Sequence, residues 1–303
     1  MDLRNARGRG ARRLPRPRPR PWVLLMALFG GVLAAYAATC LLVLREDPVQ
    51  EATYKAGPTA VQPAVFVYAE VMAVDPVRSA IELRVDFGAG GGRTGLHFPV
   101  APARDMMVEI VDGESEQDIA LRAGQPNPTE TLFLGLGAGR LQAYPFDRYE
   151  GEIALNVHDG LRPDGPVLPF RVLVADSLAA WEVHTREVPV ADGEPGIALR
   201  FEVRRPPLQR LLAVTLYAAI GVMALIAAAV STLLTLGVRR ADTTFASVLA
   251  AMVFTIPAIR NTMPGAPPFG VAADMLVFLW AEILVVLSLG LVVLTWARRG
   301  DGK

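Results

Sequence analysis

Few residues in this 303-residue chain have the type and setting to do chemistry. Glu282 is the most unusual of them. It lies about eleven residues into an apolar run over 271–297, or roughly 16 Å along a helix. A carboxylate at that depth in a bilayer costs several kcal/mol unless it is protonated, paired or wet. It is either a proton- or cation-responsive group in an intramembrane cleft, or a neutral acid bonded to Ser231, Thr232 or Thr255 on a neighbouring helix. Arg260 and Asp274 flank a short loop, Pro264-Gly265-Ala266-Pro267-Pro268-Phe269-Gly270. An ion pair between them would close a hairpin; left apart, they would form an ion-attracting vestibule. His97, His158 and His184 are scattered, so their spacing predicts no metal site. Gly88-Ala89-Gly90-Gly91-Gly92 lacks the Lys-Ser/Thr and the following helix of a phosphate loop, and reads as a hairpin tip. No Ser stands in a Gly-x-Ser-x-Gly setting. No catalytic residue, metal or cofactor is assigned.

The elements that would hold these residues follow from composition. Over half of the chain is hydrophobic, 52%, and only 20% is charged, with a mean hydropathy of +0.35, which is high for a soluble enzyme. The zero net charge hides three unequal segments. Residues 1–21 hold eight Arg and one Asp, 45–207 hold 15 basic and 25 acidic side chains, and 208–303 hold seven basic and four acidic. A nucleic-acid partner does not fit an acidic central segment. Cys40 is the single cysteine, so no internal disulfide can form and the central domain is stable by packing alone. Asn127 precedes Pro128, which blocks N-glycosylation there.

Residues 1–21, with alternating Pro and Arg from Leu14, read as a basic cytoplasmic tail in polyproline II conformation. Residues 22–44 carry no charge and are long enough to cross a bilayer, about 34 Å as a helix; they are too long for a cleaved signal core and read as a retained anchor. Residues 45–63 read as a linker. Over 64–206 the period becomes two. Ile81, Leu83 and Val85 alternate with Glu82, Arg84 and Asp86; Ile153, Leu155 and Val157 do the same, as do Ile197, Leu199, Phe201 and Val203. That pattern predicts strands with one buried face. Further strands are expected at 64–71, 107–111, 130–136, 167–174 and 181–188. Asp-Gly turns at 112, 159, 164 and 192 separate them. The fold predicted is an antiparallel, immunoglobulin-like β-sandwich.

Three further apolar runs follow, 208–238, 243–259 and 271–297, then a short tail over 298–303. With the N-terminus inside, the Arg-rich tail, Arg239-Arg240 and Arg298-Arg299 all fall on the cytoplasmic side, as the positive-inside rule requires. The topology expected is four plasma-membrane spans with both termini cytoplasmic and the β domain outside. Arg204, Arg205 and Arg210, at the junction of the β domain and the second span, are expected to meet lipid phosphates, or otherwise Asp274.

One segment is more specific than pattern: Tyr144-Pro145-Phe146-Asp147-Arg148-Tyr149-Glu150. Pro145 can set a turn, Asp147 can cap nearby amides, and the aromatic rings can anchor the next strand. Together with Pro257-Ala258-Ile259-Arg260, Pro267-Pro268-Phe269-Gly270, Asp274 and Phe278-Leu279-Trp280, it resembles family 4436 of the domains of unknown function, bacterial multi-pass membrane proteins, over about 22–297. That resemblance implies an architecture and no catalytic residue. A Tyr-Pro-Phe-Asp segment in a sandwich joined to membrane helices also resembles pentameric ligand-gated channels, where it lies at the coupling surface. This chain departs from them in its helix before the sandwich and in lacking a Cys-loop.

The function expected is non-enzymatic: an envelope protein whose outer domain binds a protein, lipid or glycan partner or a second copy of itself. The alternative is a subunit of a transporter or channel-like assembly that uses Glu282.

Overall fold

The computed structural model describes residues 54–88, 101–113, 115–137, 139–176, 178, 180–190, 196–239 and 242–300, with 30, 31, 34, 37, 38, 40 and 41 in the first apolar run. Those seven are helical. The basic tail, most of the 22–44 segment, residues 89–92 of the glycine-rich stretch and His97 lie outside the described residues.

Among the described residues, ten strands form two five-stranded sheets. The first has the order β1-β8-β2-β3-β6, built from Tyr54–Ala56, Phe170–Asp176, Val65–Asp75, Ala80–Gly88 and Glu130–Gly135. The second has the order β5-β4-β7-β10-β9, built from Ser115–Leu121, Met106–Asp112, Arg148–Asp159, Ile197–Arg204 and Glu182–Val188. The alternating residues bury one face of each sheet against the other, so Val67, Leu83 and Val172 share a core with Val108, Leu155 and Phe201. The two packed sheets are the β-sandwich expected, with three differences from the sequence reading. β2 and β8 pair in parallel, and between them the chain crosses to the second sheet and back twice. β1 lies inside the segment read as linker. β5 carries Glu116, Gln117 and Asp118 on an exposed edge and buries only Ile119 and Leu121, so it shows little period.

One buried polar group needs its own account. His158 on β7 makes Nδ1 contact with the Gly165 carbonyl at 3.0 Å and Nε2 contact with a Glu109 Oε at 3.2 Å. Both neighbours are acceptors, so the doubly protonated ring satisfies both. Burial opposes the cation, yet the Gly165 carbonyl and Glu109 outweigh it and hold the pKa above its ordinary value. The Asn156 amide, then His158, hold Glu109 below its ordinary value against burial.

The strand β10 runs into the helical unit with only Arg205 and Pro206 between them. Pro207 opens α1, Pro207–Thr235, at a position where a missing N–H costs nothing. α2 spans Thr243–Asn261, capped by the Asp242 side chain on the Thr244 amide. A π-helical turn, Asp274–Phe278, leads into α3, Leu279–Gly300. Among the described residues, three helices are thus long and apolar enough to cross a membrane, with mean hydropathies of 2.4, 1.5 and 2.6. Small residues, Ala213, Ala224, Ala227 and Ala281, sit in their shared core and allow close approach. Their outer faces expose Leu225, Phe254, Leu276 and Trp280.

The His158–Glu109 pair predicts a pH window. Its His part is fully present below about pH 6.5 and is lost as pH rises through the raised pKa of the folded state. Its Glu part is present above about pH 4.5 and is lost as pH falls through the lowered one. The melting temperature of the full chain in detergent should therefore gain most from this pair between those values. His158→Asn should flatten the decline on the alkaline side; an unchanged pH profile would refute the assignment.

Candidate functional site

The motif Tyr144–Tyr149 and the loop after α2 meet where the sandwich joins the helices. A 3-10 turn, Leu141–Ala143, and a cis Tyr144-Pro145 bond turn the chain between β6 and β7. Tyr144, Pro145, Asp147 and Tyr149 point inward; Phe146, Arg148 and Glu150 point outward.

Asp147 is buried and carries the first half of the site. One carboxylate oxygen accepts from Arg205 Nε at 2.7 Å, the other from the Tyr149 hydroxyl at 3.0 Å. Arg205 is 1% exposed, and its guanidinium lies 4.7 Å from the Tyr144 ring centre and 4.4 Å from that of Trp181. Desolvated cation–π contacts of this kind each contribute about 2 kcal/mol. Two glycines make room for the arrangement. A Cβ on Gly265, whose φ is +73°, would stand 2.2 Å from Arg205 Nη1, and one on Gly139 would stand 2.1 Å from the Tyr149 ring. Tyr144 bridges to the helices: its hydroxyl donates to the Pro264 carbonyl at 2.9 Å. Burial, with Asp147 adding to it against Arg205, pushes this phenol up to about 12, so it remains a neutral donor.

The second half holds the hairpin between α2 and α3. Arg260 grips Asp274 with two bonds, Nε to Oδ1 at 2.9 Å and Nη2 to Oδ2 at 2.6 Å. Each residue is 3% exposed. Tyr217 donates to Oδ1 at 2.8 Å, and the Gly270 amide to Oδ2 at 3.2 Å, so the carboxylate has four donors. Arg260 also donates to the Pro268 carbonyl and lies 4.2 Å below the Phe269 ring centre. The cation ends one helix and the anion opens the next, which suits both helix dipoles. Full pairing matters because an isolated charge at this depth is costly.

The candidates therefore divide. Tyr144, Asp147 and Tyr149 form one cluster, and Arg260 and Asp274 pair across their loop. Glu282 stands apart, about 12 Å further along its helix from Asp274. Its proposed hydroxyl partners are engaged elsewhere: Ser231 and Thr232 bond the Ala228 carbonyl and Thr255 the Ala251 carbonyl. Its Oε2 is buried with no hydrogen-bond partner among the described residues. The lipid-phosphate expectation is corrected for two of three arginines: Arg205 is buried on Asp147, and Arg204 pairs with Glu182 at 2.8 Å. Sequence reasoning missed Trp181 and Tyr217, gave Arg205 the wrong partner and assigned Gly265 no contact. Tyr217 had a usable signal, as the one tyrosine of the second apolar run. Arg205 had none, since its partner lies 58 residues away. Among the described residues no three His, Cys, Asp or Glu side chains stand together as a metal site.

Breaking a buried pair by removing one partner costs about 3–5 kcal/mol, while removing both costs less. Arg205→Met and Asp147→Leu should each lower the unfolding free energy of the full chain by about that amount. The double variant should recover at least about 1 kcal/mol relative to the sum. Additive losses in chemical unfolding would contradict coupling.

Comparison with protein families divides the chain at this same junction. A domain of unknown function (DUF8686) matches residues 205–299, so the resemblance noted over 22–297 covers two families, and its loop residues Pro257–Asp274 lie in the second. No curated protein matches the chain. Asp147 and Arg205 thus pair across the boundary of two matched domains. The other match is a domain of unknown function (DUF4436) over residues 55–203, so the β domain matches the family named by the resemblance.

Proposed function

We propose that this is a non-enzymatic, multi-pass protein of a bacterial plasma membrane. The C-terminal helices and the 22–44 segment are its four spans, both termini are cytoplasmic, and the β-sandwich is extracytoplasmic. The sandwich binds a partner, which is an envelope protein, a lipid, a glycan or a second copy of the chain. The observation that carries this reading is the buried join. Arg205 on Asp147 and Tyr144 on Pro264 fasten the sandwich to the helices by side chains inaccessible to water. A ligand that engages the sandwich therefore loads the helices directly. The outward apolar faces of α1–α3 support a lipid setting, and Arg239 and Arg298 lie at the helix ends far from the sandwich in sequence order, as cytoplasmic anchors do.

A second reading rests on Glu282. A buried, unpartnered carboxyl oxygen within a span is the mark of a proton or cation path, and would make the chain a transporter or channel-like subunit. Glu282→Gln separates the readings. The first expects surface expression and partner association to persist; the second expects pH-dependent flux to vanish while folding is retained.

Topology is tested with single cysteines in a Cys40→Ser background. In intact cells an impermeant maleimide should label Leu161→Cys, while Arg239→Cys should react only after permeabilisation. The reverse pattern would overturn the orientation.

A further inference from the structure

An apolar groove of about 640 Å³ runs between α1 and the π-helical turn that leads into α3, beneath the Tyr144–Phe146 turn. Val214, Ala218 and Gly221 form one wall, Ala273 and Leu276 the other, and Pro145 and Phe146 the roof. The floor is recessed because its residues are small. A Cβ placed on Gly221 would meet only Val277 Cγ1, at 3.9 Å. The two hydroxyls that reach this region are already spent, Tyr217 on Asp274 and Tyr144 on Pro264. The groove therefore offers shape and apolar surface, with no free donor along its length.

A cation stands at its sandwich end. Arg210 precedes Val214 by four residues, Ala218 by eight and Gly221 by eleven, so it lies on the groove's face of α1, one turn nearer the sandwich. Side chains on a helix lean toward its N-terminus, which carries the Arg210 head beyond the end of the apolar wall. Three neighbouring arginines are neutralised: Arg204 by Glu182, Arg205 by Asp147, Arg260 by Asp274. Arg210 has no such ion pair among the described residues, and its Nε is buried without a hydrogen-bond partner.

A recessed apolar channel ending one helical turn below an unpaired guanidinium matches one kind of molecule, with hydrocarbon at one end and a singly ionised phosphate at the other. We propose that the groove binds one phospholipid of the leaflet nearer the sandwich, its acyl chain along α1 and the π-helical turn and its phosphodiester on Arg210. The planar guanidinium can donate from its two Nη groups to two phosphate oxygens at once. The lipid would touch Phe146 of the sandwich, α1 and the π-helical turn together, and so would add to the hold between them. The inference rests on the reading of α1–α3 as membrane spans.

The test uses the full chain, stripped of lipid in detergent, titrated with dioleoylphosphatidylglycerol and read by native mass spectrometry. One phospholipid per chain should be retained, while dioleoylglycerol, which lacks the phosphate, should not. Arg210→Gln should weaken retention by at least about tenfold, the loss of a charge-assisted bond. Ala218→Phe, which fills the groove, should do the same, and Arg239→Gln, beyond the far end of α1, should leave retention unchanged. Equal retention by the wild type and Arg210→Gln overturns the site, as does an equal loss in Arg239→Gln or a mass of two chains without lipid. Since Arg210→Gln leaves the groove unfilled, it decides the matter even if Ala218→Phe does not fold. Alkaline carbonate extraction of membranes distinguishes the two failures. A chain released by carbonate sinks the span reading itself; a chain that stays but ignores Arg210→Gln sinks only the lipid site.

Discussion

The contact between Asp147 and Arg205 is the constraint on which the rest of the molecule depends. Arg205 is the first residue past β10, and α1 starts two residues later. Whatever holds Arg205 therefore sets where the first helix leaves the sandwich. The ion pair does so from one side, the rings of Tyr144 and Trp181 from two others, and Gly265 closes the fourth. A buried guanidinium is costly, and this one is offset by a charged partner and two aromatic faces. Such an arrangement favours one geometry, because any shift of the helix unpairs a charge in a dry site.

The second ion pair extends the same logic to the remaining helices. Asp274 takes four hydrogen bonds, from α1 through Tyr217, from α2 through Arg260 and from the loop through Gly270. It sits in a π-helical turn, where the extra residue per turn lets the carboxylate face both neighbours. Tyr144 links the two halves, since its ring touches Arg205 and its hydroxyl reaches the loop that Arg260 also holds at Pro268. Polar bonding is thus concentrated at one end of the helices, while their middle is packed through alanine, leucine and valine.

How much of this could be read in the sequence depended on distance along the chain. Strands with strict alternation, such as Ile153–Val157 and Ile197–Val203, announced themselves because each buries one face. β1, with three residues, is too short to show a period, and β5 hides its own behind Glu116, Gln117 and Asp118. Arg260 and Asp274 were legible as a pair because only a short loop separates them. Asp147 and Arg205 were not, because their meeting depends on β7 and β10 lying side by side, with Arg148 opposite Arg204. The parallel pairing of β2 with β8 was hidden for a similar reason: it joins strands separated by crossovers between sheets, which no local pattern encodes. Glu282 stood out in the sequence, yet the hydroxyls offered to it turn back to their own helices, as Ser and Thr in apolar helices commonly do.

The most direct measurement of this account is the distance between the sandwich and the helical unit, by pulsed electron paramagnetic resonance. Spin labels at positions 161 and 239, in the full chain with Cys40 replaced, report on a turn of the sandwich and the far end of α1. With Arg205 present the account predicts one narrow distance distribution; with Arg205→Met it predicts a broad one, while each unit stays folded. An equally narrow distribution in both proteins would mean that the join does not depend on the buried ion pair.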